Sequence, residues 1–353
     1  METQTIIISQ ALKTEVGRAI RSVHHDKLFV LTDTTTERLC KPLLEGCEEL
    51  AGAVSIVIGA TDTHKTLDTL ASVWQQMGEA GGTRHSLMLN VGGGMPTDLG
   101  GFAASTFKRG IPYINVPTTL LSMVDAAVGG KTGINFGGLK NEIGVFSKSV
   151  CVIVDTDFLR TLDAENICSG YAEMLKHGLI SHTKAWAELL TFDLCNVDYA
   201  RLQPLVEESI QVKERIVNED PTEQGIRKAL NLGHTAGHAL ESLALAENRP
   251  VLHGYAVAWG LVCELYLSCT KTNFPKDKMW QTIEFIKRNY GIFTFDCHAY
   301  DRLYTYMTHD KKNTAGSINF TLLGEVGDLR IDQKASKDEI FAMLDFYRES
   351  MGC

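Results

Sequence analysis

The chain has 353 residues, 44% of them hydrophobic and 22% charged, a balance that supports one large domain or two ordinary ones around a full hydrophobic core. A formal charge of −9 argues against nonspecific binding to nucleic acid, and no apolar run approaches the ~18 residues of a membrane span. Nine cysteines without a C-x-x-C pair, together with a start that lacks a signal-peptide pattern, lead us to expect a cytoplasmic protein with free thiols.

In chain order, short β-branched runs first alternate with amphipathic stretches. Residues 27–33, 55–59, 87–91, 111–116 and 150–154 are predicted as buried strands, with helical spacing over 35–50 and 63–80. That alternation predicts a parallel sheet covered by helices. Beyond about residue 156 the periodicity becomes helical, over 169–181, 183–191, 200–218, 232–246, 254–270, 277–289 and 336–350. Only 318–323 reads as a strand there. We therefore expect an α/β domain over 1–157 and an all-α domain over 158–353, joined without a linker rich in Pro, Gly or Ser.

Three segments carry candidate chemistry. The predicted strand 87–91 runs into Gly92-Gly93-Gly94-Met95-Pro96-Thr97-Asp98. Glycines at a strand end let the backbone approach a pyrophosphate, and the amides opening the next helix then face its charge. The spacing is not G-x-G-x-x-G, and a tight turn would use the same glycines. Asp98 reads either as a partner of the helix N-terminus or as an acceptor for a cofactor. Further on, Asp125, Gly129-Gly130-Lys131-Thr132-Gly133 and Gly137-Gly138-Leu139-Lys140-Asn141 place two lysines among glycines, as an anion nest would. The upstream glycine of a P-loop is missing.

The third segment is Gly233-His234-Thr235-Ala236-Gly237-His238, with His253 following and Glu173-Met174-Leu175-Lys176 preceding. Histidines at i and i+4 share a helix face and can ligate one metal ion. Nitrogen and oxygen ligands without thiolate fit Zn²⁺ or Co²⁺. Spacing alone does not decide which three of Glu173, His234, His238 and His253 bind.

The motifs GGGMPTDLGGFAAS, VPTTLLSMVDAAVGGKTGIN, SGYAEMLKHGLI, RKALNLGHTAGHALE, LHGYAVAWG and HDKKN occur in this order, and across nearly the whole chain they resemble the 3-dehydroquinate synthase family of sugar phosphate cyclases. The resemblance implies a mainly parallel, Rossmann-like NAD-binding domain followed by a helical metal-binding domain, usually as a homodimer. It implies Glu173, His234 and His253 as metal ligands, with His238 facing substrate. For NAD it implies Asp62, Lys65, Gly94, Asp98, Thr118, Thr119, Lys131, Lys140 and the run Phe158, Leu159, Arg160, Thr161. For substrate, a phosphorylated seven-carbon sugar acid, it implies Asp125, Lys131, Asn141, Lys176, Lys213, Arg227, Asn231 and Lys311 or Lys312. Arg109 would reach the partner subunit's active site. The sequence departs from the family pattern at Thr61-Asp62-Thr63-His64-Lys65, where Gly-Glu-x-x-Lys is usual, and at Tyr255, where glutamate is usual. Another sugar phosphate cyclase and a metal-dependent polyol dehydrogenase would use a similar inventory.

Overall fold

The computed structural model describes residues 4–137, 139–308 and 318–353. The chain divides into two compact units, Met1–Asp163 and Ala164–Cys353.

The first unit contains strands β1 (Thr5–Ile8), β2 (Leu28–Asp33), β3 (Val54–Ile58), β4 (Leu87–Gly92), β5 (Tyr113–Pro117), β6 (Lys131–Phe136), β7 (Leu139–Phe146) and β8 (Cys151–Val154). Its helices are α1 (Leu12–Ser22), α2 (Thr34–Leu39), α3 (Leu67–Glu79) and α4 (Gly94–Thr106). Six strands form a wholly parallel sheet in the order β1-β8-β5-β4-β2-β3. Every side chain of β2 and β4 is buried, which is why both strands read as continuous apolar runs rather than alternating ones. Phe29, Leu31, Ile56, Leu70, Met88 and Leu99 belong to the core between sheet and helices. From β2 the chain moves outward to β3, and from β4 it moves the opposite way to β5. The loops at the carboxyl ends of β2 and β4 therefore part, leaving the crevice in which such sheets hold ligands.

Several elements differ from the sequence expectations. The stretch 35–50 is α-helical only over α2; it continues as two 3₁₀ turns, Lys41–Leu44 with Pro42 in its first turn and Glu48–Leu50, parted by Gly46 at φ +86°. Strand β1 and the antiparallel β6–β7 hairpin went unread. Gly133 and Gly144 face each other across that hairpin, and an added Cβ would meet the opposite backbone oxygen at 2.5 and 2.1 Å. These two glycines serve a close strand approach rather than an anion nest, although Gly129 and Gly130 before them do take positive φ.

Among the described residues, the regular structure of the second unit is helical apart from one two-stranded hairpin. It comprises α5 (Ala164–Ser181), α6 (Thr183–Leu190), α7 (Tyr199–Glu219), α8 (His234–Ala246), α9 (His253–Thr272), α10 (Lys276–Tyr290), α11 (Tyr300–Thr308), β9 (Asn319–Glu325), β10 (Asp328–Lys334) and α12 (Lys337–Met351). Helix α11 and strand β10 are additions to the expected elements. A Cβ on Gly260 of α9 would stand 1.9 Å from the Gly233 carbonyl and 2.6 Å from the Gly237 nitrogen, so the backbones of α8 and α9 touch. Among the described residues no helix is long and apolar enough to cross a membrane.

Candidate active site

In the first unit, Gly93 is the N-cap of α4 and supplies no side-chain cap, which leaves the opening amides of the helix for another acceptor. The packing explains the glycines. A Cβ on Gly92 would meet Pro96 Cγ at 2.6 Å, one on Gly93 would meet Thr119 Cγ2 at 3.0 Å, and one on Gly94 would meet the Ala126 Cβ at 3.2 Å. The glycines thus let β4 and the start of α4 pack closely against Pro96, Thr119 and Ala126, with Gly92 and Gly93 buried and Gly94 half-buried. Thr118 is buried, and its N–H donates to the Gly92 carbonyl at 2.9 Å. Asp125 sits half-buried in a π-helical turn, Ser122–Ala126, a deviation frequent at functional sites.

Beside this loop, the buried Lys65 ammonium lies 2.6 Å from Asp98 Oδ2 and also donates to Asn141 Oδ1. Asn135 was not singled out from sequence. Its Nδ2 donates to Asp62 Oδ2 at 3.1 Å, its Oδ1 accepts from Asn141 N–H at 2.9 Å, and its own N–H donates to the Lys65 carbonyl at 2.8 Å. Lys140 stands 3.7 Å from Asp62. Asp62, Lys65, Asp98, Lys140 and Asn141 are therefore one connected group. Asn141 takes φ +51°, a conformation asparagine tolerates. Lys131 and Arg109 are exposed, Arg109 with φ +73°. Phe158 and Leu159 are core residues, while Arg160 is exposed and the Thr161 hydroxyl donates to the Phe158 carbonyl at 2.7 Å.

In the second unit, Glu173 and Lys176 lie a turn apart on α5, both buried, with Lys176 Nζ bonded to Glu173 Oε2. The other oxygen, Oε1, has no hydrogen-bond partner. It stands 3.3 Å from His234 Nε2 and 3.4 Å from His253 Nε2. Both rings are turned so that Nδ1 meets an acceptor: His234 Nδ1 lies 3.1 Å from the Leu232 carbonyl, and His253 Nδ1 lies 3.6 Å from Glu241 Oε2. With Nδ1 carrying the proton, each Nε2 lone pair is free to ligate. Metal–ligand bonds of about 2.0–2.1 Å put neighbouring ligand atoms of a tetrahedral ion about 3.3–3.4 Å apart. The two measured separations match, so this donor set fits a divalent metal. His238 adjoins it, with ring centroids 5.3 Å from His234 and 5.7 Å from His253, and the ligand atoms of the three histidines all lie within 4.8 Å of one another.

The electrostatics agree. Burial disfavours the Glu173 charge, but the Lys176 ammonium and His234 hold its carboxyl well below the usual range. Burial lowers His234 to about 4. It would lower His253 too, yet the facing carboxylates of Glu173 and Glu241 raise that imidazole to about 10.

The remaining candidates occupy the same unit. Arg227 is 2% exposed, and its Nη1 donates to the Pro221 carbonyl at 2.6 Å. Asn231 Nδ2 donates to Glu223 Oε1 at 2.8 Å. Lys213 is buried on α7. Tyr255 is taken up in aromatic packing, 5.3 Å from Tyr290 and 6.1 Å from Trp259 between ring centroids. Lys311 and Lys312 lie outside the described residues. Glu241 and Glu264, on the helices that carry His234 and His253, were also missed; the signal for Glu264 was a single carboxylate within the apolar run Leu261–Leu265.

Comparison with known proteins places the chain. The family models for the 3-dehydroquinate synthase N-terminal and C-terminal regions match residues 55–169 and 170–313. A 3-dehydroquinate synthase from Parabacteroides distasonis is 54% identical over 352 residues, covering 100% of both chains. The solved structure of 2-epi-5-epi-valiolone synthase from Streptomyces hygroscopicus subsp. jinggangensis, with NAD⁺ and Zn²⁺ bound, superposes with a TM-score of 0.86 at 25% identity, covering 99% of this chain and 98% of that one. The fold is shared as well by 2-deoxy-scyllo-inosose synthase in complex with carbaglucose-6-phosphate, NAD⁺ and Co²⁺, at a TM-score of 0.82 and 22% identity, covering 98% and 96%. On the strength of both matched regions and the full-length relative, the chain belongs to the 3-dehydroquinate synthase family.

Proposed function

We propose that this chain converts 3-deoxy-D-arabino-heptulosonate 7-phosphate to 3-dehydroquinate and phosphate, with NAD and a divalent ion, Zn²⁺ or Co²⁺, as resident cofactors. The observation that carries the reading is Glu173 Oε1, buried without a hydrogen bond and spaced from two imidazole nitrogens as ligands of one ion would be. When bound, NAD would supply reversible hydride chemistry and the divalent ion would supply Lewis-acid polarisation of a substrate oxygen. The first unit would be the NAD-binding domain and the second the metal- and substrate-binding domain.

Glu173, His234 and His253 would hold the ion. The glycine start of α4, with Thr118 and Thr119, would take the pyrophosphate, and the group around Lys65 would hold the nucleoside side. Arg227 offers a planar fork to the substrate carboxylate. Lys131, with Lys311 or Lys312, would neutralise phosphate beside Asn141, Asn231 would hydrogen-bond substrate, and Asp125, Lys176, Lys213 and His238 would orient hydroxyls and carry protons.

We also propose a homodimer. Strand β7 is exposed along its length and presents Leu139, Ile143, Val145 and Phe146, more apolar surface than an isolated strand carries comfortably in water. Cytoplasmic placement fits the nine cysteines, free among the described residues.

The deciding experiment is anaerobic incubation with the heptulosonate phosphate, following phosphate and NADH together. Phosphate should accumulate over many turnovers while absorbance of reduced nicotinamide stays flat. A rise in NADH matching product would establish a dehydrogenase instead.

A further inference from the structure

Helix α8 begins at His234, and its N-cap, Gly233, lies in the left-handed region at φ +79°. No side chain at that position can cap the helix. A Cβ there would meet Leu261 at 2.9 Å and the Val257 carbonyl at 3.1 Å. The cap comes from the neighbouring helix. Glu264 of α9 is wholly buried, and its carboxylate accepts from the Gly233 N–H at 2.6 Å and from the Ala236 N–H at 3.1 Å. A buried carboxylate is costly unless its oxygens are met; here it has two amide donors and the positive end of the α8 dipole.

Those two amides bracket His234. The grip of Glu264 therefore fixes the position of the first turn of α8, and with it the imidazole whose Nε2 lies 3.3 Å from Glu173 Oε1. The return contact is Glu241 of α8, whose Oε2 lies 3.6 Å from Nδ1 of His253, the first residue of α9. Each helix thus brings one candidate ligand and one carboxylate directed at the other helix's ligand segment.

We propose that Glu264 is a positioning residue for the metal centre, setting metal affinity through the backbone that carries His234 without touching the ion. The proposal rests on the metal site described above. In Glu264→Gln one oxygen becomes an NH₂ that faces an N–H donor, so the grip fails on one side while volume is kept.

The test uses the full chain, stripped of metal and titrated with Co²⁺ against a competing chelator. The unmodified chain should bind one Co²⁺ with visible bands of a four- or five-coordinate ion. Glu264→Gln should bind about 10- to 100-fold more weakly, with shifted or broadened bands. Glu264→Asp keeps the charge but withdraws it by one methylene, and should fall between; it also serves if Glu264→Gln does not fold. A lower melting temperature of the metal-free variants with parental affinity and spectrum would make Glu264 a structural cap only and overturn the proposal. Failure of the unmodified chain to take up Co²⁺ would overturn the metal reading itself, and the proposal with it.

Discussion

Glu173 and Lys176 share one face of α5, and the two oxygens of the glutamate do different things. Oε2 is held by the Lys176 ammonium, while Oε1 is turned toward His234 and His253. Both side chains are buried, so neither charge can be left alone.

Removing the ammonium should therefore hurt the metal-free chain most. Lys176→Met leaves the buried Glu173 carboxylate only the His253 imidazolium as a cationic neighbour, and the metal-free protein should lose stability, up to about 3–5 kcal/mol. A bound divalent ion supplies compensating charge, so the loaded variant should lose less. Urea unfolding with and without chelator measures both; equal losses would argue that no ion is bound beside Glu173.

The histidines should separate by function. His253→Ala should lose bound metal and activity together, whereas His238→Ala should keep the metal and lose rate. Metal content of the two purified proteins decides it. Stoichiometric metal in His253→Ala would transfer the ligand role to His238.

Metal uptake should displace a proton. With His253 raised from 6.5 to about 10 and His234 lowered to about 4, His253 is an imidazolium and His234 is neutral in the metal-free chain at neutral pH. Affinity should then rise about tenfold per pH unit up to that point. Because the folded-state value is raised, this group stabilises the metal-free chain fully below about pH 6.5, and the contribution disappears as pH climbs toward 10. Calorimetric titration in buffers of differing ionisation enthalpy counts the proton. Zero release at pH 7 would contradict the pairing of His253 with Glu173 and Glu241.

Arg227→Met should cost roughly 2–5 kcal/mol in transition-state binding, about 30- to several thousand-fold in kcat/KM for the heptulosonate. Sedoheptulose 7-phosphate, which lacks the carboxylate, should be poor for the unmodified chain and lose little more from the substitution. Comparable turnover of the two by the unmodified chain would leave only the wider cyclase chemistry.

The sheet strands and the helical second half were legible because burial on both faces and a 3.6-residue period leave strong patterns. Positions that depend on partners distant in sequence were not. The glycines at 133 and 144 look like loop residues until the opposite strand is in place. Pro42 and Gly46 interrupt a stretch whose apolar spacing still looks helical. Histidine spacing brought His234 and His238 together, but only the packing of α5 against the start of α8 and α9 brought Glu173 to His253. Asn135 left no mark in sequence because its work is to join the turn that carries Asp62 and Lys65 to Asn141 on another strand.

The β9–β10 hairpin reaches back to an earlier part of the chain. Thr321 Oγ1 donates to the Lys228 carbonyl at 2.8 Å, Lys228 Nζ meets both oxygens of Asp332 at 2.9 and 2.8 Å, and Thr235 Oγ1 donates to the Asn319 carbonyl at 3.2 Å. The 3₁₀ turn Ile226–Asn231, with Arg227 and Asn231, is thereby fastened from behind. The matched family region stops at residue 313. A chain shortened to that point would retain every candidate ligand and contact residue, yet it would lose the buttress behind two of them. The carboxyl-terminal forty residues thus buttress the candidate site although none of the candidate residues named above lies among them.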